Sequence, residues 1–386
     1  KGYDVRIFCA SVLHNSQEDA VDLQGNISKE LIVDGIPFVF VKTRKYQGNG
    51  FSRVLGMFDY YLNVKKACQQ YSRPDVIIGS SVHPLACVAA IHLSKRYSCK
   101  NIVEIRDLWP ESIFAFGKAK QHSIVGKVLS SGEYWIYRNA HALIFTKEGD
   151  VDHIKEEKWD TEHGGKIELN KCFYVNNGVN IENFDKQCHI DFLHDEDLEN
   201  SSTFKVIYTG AIRPVNDVGN ILDCAKYLTN SNIRFLVYGD GMELEKLKKR
   251  VKDENITNVR MKGRVEKKYI PFILSHSSIN LLNYAQDQYN WSRGNSSNKL
   301  FEYMASGKPI ISTVKMGYSI IDKYDCGIEL EESTTKQLAE AILKIYRLPS
   351  DEYQKIGMNA RRGSKDFDYS ILTNKLDEVI KSVAND

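Results

Sequence analysis

The 386-residue sequence predicts an α/β protein built as two doubly wound parallel-sheet domains, and three observations carry that reading. Short apolar runs alternate with longer stretches of helical apolar spacing, the pattern of a parallel sheet covered by helices on both faces. The alternation comes in two series, separated by the polar stretch "HIDFLHDEDLENSSTF". The length also suits two domains of roughly 150 to 200 residues each.

The first series is "DVRIFCA", "FVFVKT", "DVIIGSS", "NIVEIRD" and "ALIFTKE"; the second is "KVIYTG", "IRFLVYG", "NVRMKG", "SINLLNY" and "PIISTV". These place an N-terminal domain at residues 1–176 and a C-terminal domain at 177–366. The last segment, 367–386, contains the helical pattern "YSILTNKLDEVIKSV" with no strand after it, and is expected to pack back on the N-terminal domain. The opening "KGYDVRIFCA" reads as a helix end running into a strand, which implies that a first strand and its loop are missing ahead of it.

Composition narrows the function. A hydrophobic content of 42% fills two cores, while 26% charged residues and a net charge of +2 do not suggest a nucleic-acid partner. Eight cysteines without a CxxC pair argue against zinc ribbons and thioredoxin-like chemistry, and read as reduced, mostly packed thiols. Neither a signal peptide nor an apolar stretch of about 20 residues is visible. The expectation is a cytoplasmic protein whose membrane contact is at most local and peripheral.

The stretch "NSSNKLFEYMASGKP", 295–309, reads as a helix with hydrogen-bonding residues at its start and Gly307 and Pro309 at its end. Leu300, Phe301, Met304 and Ala305 share an apolar face, and Asn298 and Glu302 lie opposite. No capping box accounts for Glu302, since neither Ser296 nor Ser297 stands three residues before it. Two readings remain: a solvated glutamate favoured by the helix dipole, or a ligand site in which helix amides take phosphate and the carboxylate accepts sugar hydroxyls.

Other motifs are weighed in the same way. Gly239-Asp240-Gly241 is a tight strand-to-helix turn, beside a nucleotide or purely structural; Leu244, where a dinucleotide fingerprint needs glycine, argues against NAD. Asp195-Glu196-Asp197 has the spacing of a divalent-metal pair, but reads better as a solvated charge run. Arg106 and Asp107 end a strand before Trp109 and Pro110, as a ligand site or a loop-closing salt bridge. Gly210 and Arg213 follow another strand, where arginine can clamp a diphosphate. Ser80, Ser81 and His83 sit at a third strand end, where a lone histidine is more often structural. Phe51, Leu55, Phe58 and Leu62 form one helix face ringed by Arg53, Lys65 and Lys66, suited to core packing or to a membrane interface.

In order along the chain, "KGYDVRIF", "RDLWPES", "VNNGVNIENF", "YTGAIR", "VYGDGMELEKL", "MKGRVEKKYIPFIL" and "SSNKLFEYMASGKPIIS" resemble the retaining family 4 glycosyltransferases of the GT-B fold, through most of the sequence. "RDLWP" and "NKLFEYMASGKP" are most similar to the subgroup that builds bacterial O-antigen and capsular polysaccharide. The resemblance implies two Rossmann-like domains facing across a cleft, a UDP-linked sugar donor held by the C-terminal one, a lipid-linked or glycan acceptor held by the other, and no metal or other cofactor. It assigns ribose hydroxyls to Glu302 and the diphosphate to amides around Ser296, Ser297 and Asn298. It also draws Lys299, Leu300, Gly210, Gly239, Arg264 and Val265 into the donor site.

The sequence departs from the family at several points. Gly294 stands where the family has an earlier glutamate contacting the donor sugar, eight positions before Glu302. Ala211 and Asn216 stand where it has an Arg and Lys pair, leaving Arg213, with Lys299, as the substitute charge on the departing diphosphate. The glycine-rich loop after the family's first strand is missing. Arg106 and Asp107 occupy the region of an acceptor-side His-Asp motif, so Asp107 is expected to contact sugar or acceptor. The function implied is transfer of a sugar of N-acetylhexosamine type from a UDP-sugar in surface polysaccharide synthesis. A UDP-sugar 2-epimerase of the same architecture and a non-catalytic nucleotide-sugar-binding partner remain the alternatives.

Overall fold

The apolar runs become strands and the periodic stretches become helices in a computed structural model that describes residues 1–14, 16–48, 50–115, 120–286 and 291–384. The chain divides into two units: one comprises Lys1–Thr146, His153–Tyr174 and Leu376–Asp386, the other Lys147–Asp152 and Val175–Lys375. Among the described residues no helix is long and apolar enough to cross a membrane. The eight cysteines are free thiols.

The first unit holds two sheets. In one, β3 (Ile36–Val41) lies between β1 (Ile7–Ala10), parallel to it, and β2 (Ser28–Val33), antiparallel to it. The other is fully parallel, ordered β4 (Val76–Ser80), β5 (Lys100–Ile105), β6 (Ala142–Phe145), β7 (Cys172–Tyr174). The antiparallel β2 departs from the purely parallel expectation. Its signal was the turn Asp34-Gly35, whose φ angles of 51° and 79° are those of a tight hairpin. Lys171 closes the Ile124–Asn139 helix, donating from Nζ to the carbonyls of Tyr137 at 2.8 Å and Ala140 at 2.8 Å, which no helical amide reaches.

Two expectations fail here. Residues 1–6 form no helix, so nothing helical runs into β1. The stripe on the Phe51–Ala67 helix is not core: Phe51 is 75%, Phe58 50% and Leu62 55% exposed, with only Leu55 half-buried. The last residues of the Tyr369–Ala384 helix belong to this unit, where Tyr3 donates its hydroxyl to Asp377 at 2.7 Å.

The second unit is one parallel sheet of β8 (Phe204–Thr209), β9 (Ile233–Tyr238), β10 (Val259–Gly263), β11 (Ile279–Leu282), β12 (Ile310–Ser312) and β13 (Gly327–Glu329), ordered β10-β9-β8-β11-β12-β13. The chain builds outward from β8 to β10, then returns to the other side of β8, so the switch point lies between β8 and β11. Successive side chains enter opposite cores. Val206 and Tyr208 join one with Phe235 and Leu281, while Ile207 joins the other with Leu236 and Leu282. Both faces are thus dry, as an all-parallel sheet requires.

The polar stretch between the series folds differently from its charge-run reading. Asp195 caps the short Glu196–Glu199 helix, accepts the Tyr238 hydroxyl at 2.8 Å and pairs with Lys262 at 2.6 Å; Lys262 also reaches Asp197 at 2.7 Å. The two carboxylates are therefore neither a metal pair nor freely solvated: Lys262, 65 and 67 positions away, bridges them, and Arg260 lies 3.7 Å from Asp197. Burial pushes the Asp195 carboxyl up, but the Lys262 and Tyr238 hydrogen bonds outweigh it and hold it below the usual 3.8. We expect Lys262→Met to lower unfolding stability by about 1–2 kcal/mol at neutral pH, less than a fully buried pair because Lys262 keeps some water contact. The contribution is present above the carboxyl's unfolded pKa, so urea titrations should show the deficit vanish as the pH falls below about 3.8.

Candidate functional site

The site builds up at the carboxyl ends of β8 and β11, where open α/β sheets take their ligands. The turn after β8 lies directly against the turn after β9. Gly210 donates its amide to the Tyr238 carbonyl at 3.0 Å, and Ile212 donates to Asp240 at 2.8 Å. A Cβ on Gly239 would stand 1.8 Å from the Gly210 carbonyl oxygen, and one on Gly241 would stand 2.2 Å from that of Ile212. Close approach of backbone to backbone thus accounts for both glycines. The turn continues through Arg213 to Asp217, where Asn283 at the end of β11 donates to the carbonyls of Asn216 at 2.7 Å and Asp217 at 2.8 Å.

Over the switch point stands the Asn298–Ala305 helix, ended by Ser306 and by Gly307 at φ 66°. Its apolar face is as expected, with Leu300, Phe301, Met304 and Ala305 buried. Tyr303 is buried as well, its hydroxyl accepting from the Thr209 amide at 3.1 Å. The approach to the helix is held by asparagines: Asn176 donates to the Asn295 carbonyl at 2.9 Å, Asn177 donates to that of Ser296 at 2.6 Å, and Asn295 Oδ1 accepts from the Ser297 amide at 2.7 Å. Ser297 is the N-cap residue, yet its hydroxyl caps nothing. Its amide is already engaged, whereas among the described residues the amides of Asn298 and Lys299 have no acceptor. Gly294 has φ 97°, a conformation in which a glutamate would be strained.

Two ionisable groups stand on this helix. Glu302 is half-buried, and burial raises its carboxyl above the usual range while Lys267 pulls it partly back, so it is not a fully solvated side chain. Lys299 Nζ lies 4.4 Å from the Tyr284 ring centroid and 4.9 Å from that of Tyr208, and burial pushes its ammonium down to about 7.

The remaining residues divide plainly. Val265 is half-buried against the core, and the Leu300 side chain is wholly inside it, so only backbone is offered at position 300. Arg213 and Arg264 are exposed. In the first unit Arg106 and Asp107 are exposed on a loop whose backbone is fixed: the Arg106 amide donates to Ser81 Oγ at 2.8 Å, and the Arg106 carbonyl accepts from Thr146 at 3.2 Å. His83 caps the Pro84–Tyr97 helix, accepting the Ala86 amide at 3.2 Å, and burial lowers its ring to about 4, so it stays neutral as a structural acceptor.

The fold that carries this geometry is shared with known proteins. Residues 189–363 match the family described as glycosyl transferases group 1. The probable glycosyltransferase WbjE of Pseudomonas aeruginosa is 21% identical over 322 residues, covering 82% of this chain and 77% of that protein. Sucrose-phosphate synthase of Thermosynechococcus elongatus superposes with a TM-score of 0.72 at 14% identity, covering 99% of this chain and 89% of its own. HepE of Anabaena, solved in complex with UDP, superposes with a TM-score of 0.66 at 15% identity, covering 90% of this chain and 87% of its own. The fold is GT-B, two Rossmann-like units, and the match to the glycosyl transferases group 1 model falls within the second unit.

Sequence reading missed Asn176, Asn177, Tyr208 and Tyr284. Only the asparagines left a local sign, as paired turn-formers in "VNNGVN". We expect Gly239→Ala to cost about 3 kcal/mol or more and to abolish ligand binding, since both turns must separate. Gly164→Ala, at φ 88° with open space, should cost only about 1–2 kcal/mol; urea denaturation of both variants checks the contrast.

Proposed function

We propose that this chain transfers a sugar, of N-acetylhexosamine type, from a UDP-sugar to a lipid-linked or growing glycan acceptor in bacterial surface polysaccharide synthesis, with retention at the anomeric carbon and without a metal or other cofactor. One observation carries the reading: a half-buried carboxylate, Glu302, stands one turn inside a helix whose first amides have no acceptor among the described residues. Amides and helix dipole suit a diphosphate, and a carboxylate four residues beyond Asn298 suits the hydroxyls of the attached ribose. HepE, of the same fold, is also solved with UDP-glucose, which supports a UDP-linked donor here. Catalysis is positioning of the donor together with stabilisation of the departing diphosphate.

The acceptor side is assigned to Asp107 and Arg106, which a rigid backbone presents to solvent. The exposed Phe51, Phe58 and Leu62, with basic Lys65 and Lys66 on the same helix, suit contact with an anionic membrane surface, and hence a lipid-linked acceptor on its cytoplasmic face.

A thermal-shift screen of UDP, GDP, ADP and UDP-sugars, with and without magnesium, tests the donor. A ligand at about 100 times its Kd adds about 2.7 kcal/mol, enough to raise Tm by a few degrees. Stabilisation by UDP and one UDP-sugar, unchanged by metal, is the expected result. Glu302→Ala should raise the KM for that donor about tenfold or more; an unchanged KM sinks the ribose assignment. Product analysis with and without acceptor separates transfer from epimerisation.

A further inference from the structure

Three of the first five residues of the Ile124–Asn139 helix are β-branched and apolar, a choice that helix propensity disfavours and that core packing does not explain. Ile124 is 83% exposed, and Val125 and Val128 are exposed as well. At 100° per residue the three share one face, opposite Gly126, Glu133, Ile136 and Tyr137, which are buried. This helix start is firmly held. Ser123 accepts from the Gly126 amide at 3.1 Å, and a Cβ on Gly126 would stand 2.3 Å from the Gln121 carbonyl oxygen, so the helix is fastened on its inner side and presents its apolar face outward.

The Pro84–Tyr97 helix packs against it on one side and against the Phe51–Ala67 helix on the other. His92 of that middle helix meets both neighbours: its Nδ1 lies 2.9 Å from the Tyr61 hydroxyl, and its ring stands edge-on to Trp135 at 5.4 Å. Each of the three helices leads into a strand of one parallel sheet, β4, β5 or β6, so all three start at the carboxyl edge of that sheet. The stripe of Phe51, Phe58 and Leu62 therefore shares one helix layer, and one orientation, with Ile124, Val125 and Val128. Charge decides what such a layer meets. Lys66, Lys95, Arg96, Lys127 and Arg138 are exposed on it. The two acids on the three helices are engaged within the unit, Asp59 by Arg44 at 2.6 Å and Glu133 by Tyr137 at 2.8 Å and His153 at 3.0 Å. The sequence is also free of Asp and Glu from Lys42 to Phe58 and from Ser112 to Gly132, although the whole chain holds 50 of them. A second copy of the chain would bring like charges together, whereas an anionic lipid surface satisfies both the cations and the apolar side chains.

We propose that the outer face of this helix layer lies on an anionic lipid surface, and that Ile124, Val125 and Val128 insert there as a second apolar contact beside that of Phe51, Phe58 and Leu62. The two groups of apolar side chains enter the acyl boundary, while the lysines and arginines around them stay among headgroup phosphates. Two contacts on one rigid layer fix how the unit lies on the surface, which a single helix leaves free to roll. The inference extends the membrane contact of the Phe51–Ala67 helix and is independent of the donor site.

Cosedimentation of the full chain with vesicles, either containing phosphatidylglycerol or of phosphatidylcholine alone, tests it. Wild type should bind the anionic vesicles about tenfold or more tightly than the neutral ones, and less tightly as salt is added. Ile124→Gln/Val125→Gln/Val128→Gln should weaken that binding about tenfold or more while melting as wild type does, since glutamine suits an exposed helix at least as well as a β-branched residue. Phe51→Gln/Phe58→Gln should weaken it separately, and Met358→Gln, at an exposed methionine of the second unit, should leave it unchanged. Ile124→Trp keeps an apolar side chain, so it should bind as wild type does and gain fluorescence that brominated phosphatidylglycerol quenches. Wild-type vesicle binding by the triple variant overturns the role of the Ile124–Asn139 helix and leaves that of Phe51 and Phe58 standing; absence of binding by wild type overturns both. A wild-type dimer that the triple variant splits into monomers, with vesicle binding unchanged, overturns the proposal by making the face an interface between copies. The Tm shift with UDP, measured on the same proteins, reports the donor site separately.

Discussion

The carboxyl ends of β8 and β9 can meet only because Gly239 carries no side chain. With a carbonyl oxygen 1.8 Å from where its Cβ would be, no other residue leaves the two turns in contact. That contact draws the turn after β8 close to the sheet. The space over the switch point is then left to the Asn298–Ala305 helix and the asparagine-clamped loop before it. Glycine's lack of bulk, more than any single polar contact, makes room for a ligand against backbone.

The helix start is arranged for binding at the expense of stability. Lys299 and Glu302 are moved by burial in opposite directions, each toward its neutral form, and among the described residues neither has an ion partner in contact. Two desolvated groups on one turn, beside unpaired amides, are destabilising in the empty protein, and a ligand that meets them offsets the deficit. The cluster of Asp195 and Asp197 with Lys262 and Arg260 is the contrast: there two cations of the protein meet the two carboxylates, so the acids fix a chain segment.

How much of this was legible depended on range. Strands rich in Val, Ile and Leu with both faces buried, such as β8 and β9, announced themselves as apolar runs. β2, with an exposed face, and the three-residue β7 and β13 fell below that threshold. The 298–305 helix was readable down to its apolar face, because helical spacing alone fixes which residues point inward. That Glu302 is desolvated was not, since its burial comes from elements distant in sequence. Nor was the cage around Lys299, assembled from residues 208, 284 and 299, each unremarkable where it stands. The exposed stripe on the Phe51–Ala67 helix shows the limit of periodicity: it identifies an apolar face, but not what covers it.

The central claim is that the turns after β8 and β9 and the start of the 298–305 helix together form a nucleotide-diphosphate site. Amide hydrogen exchange, followed by mass spectrometry with and without saturating UDP, tests that location most directly. The account predicts slowed exchange in peptides spanning 208–217, 238–244 and 295–303, with 195–199 unchanged. Slowed exchange confined to other segments, with those three unaltered, would contradict it.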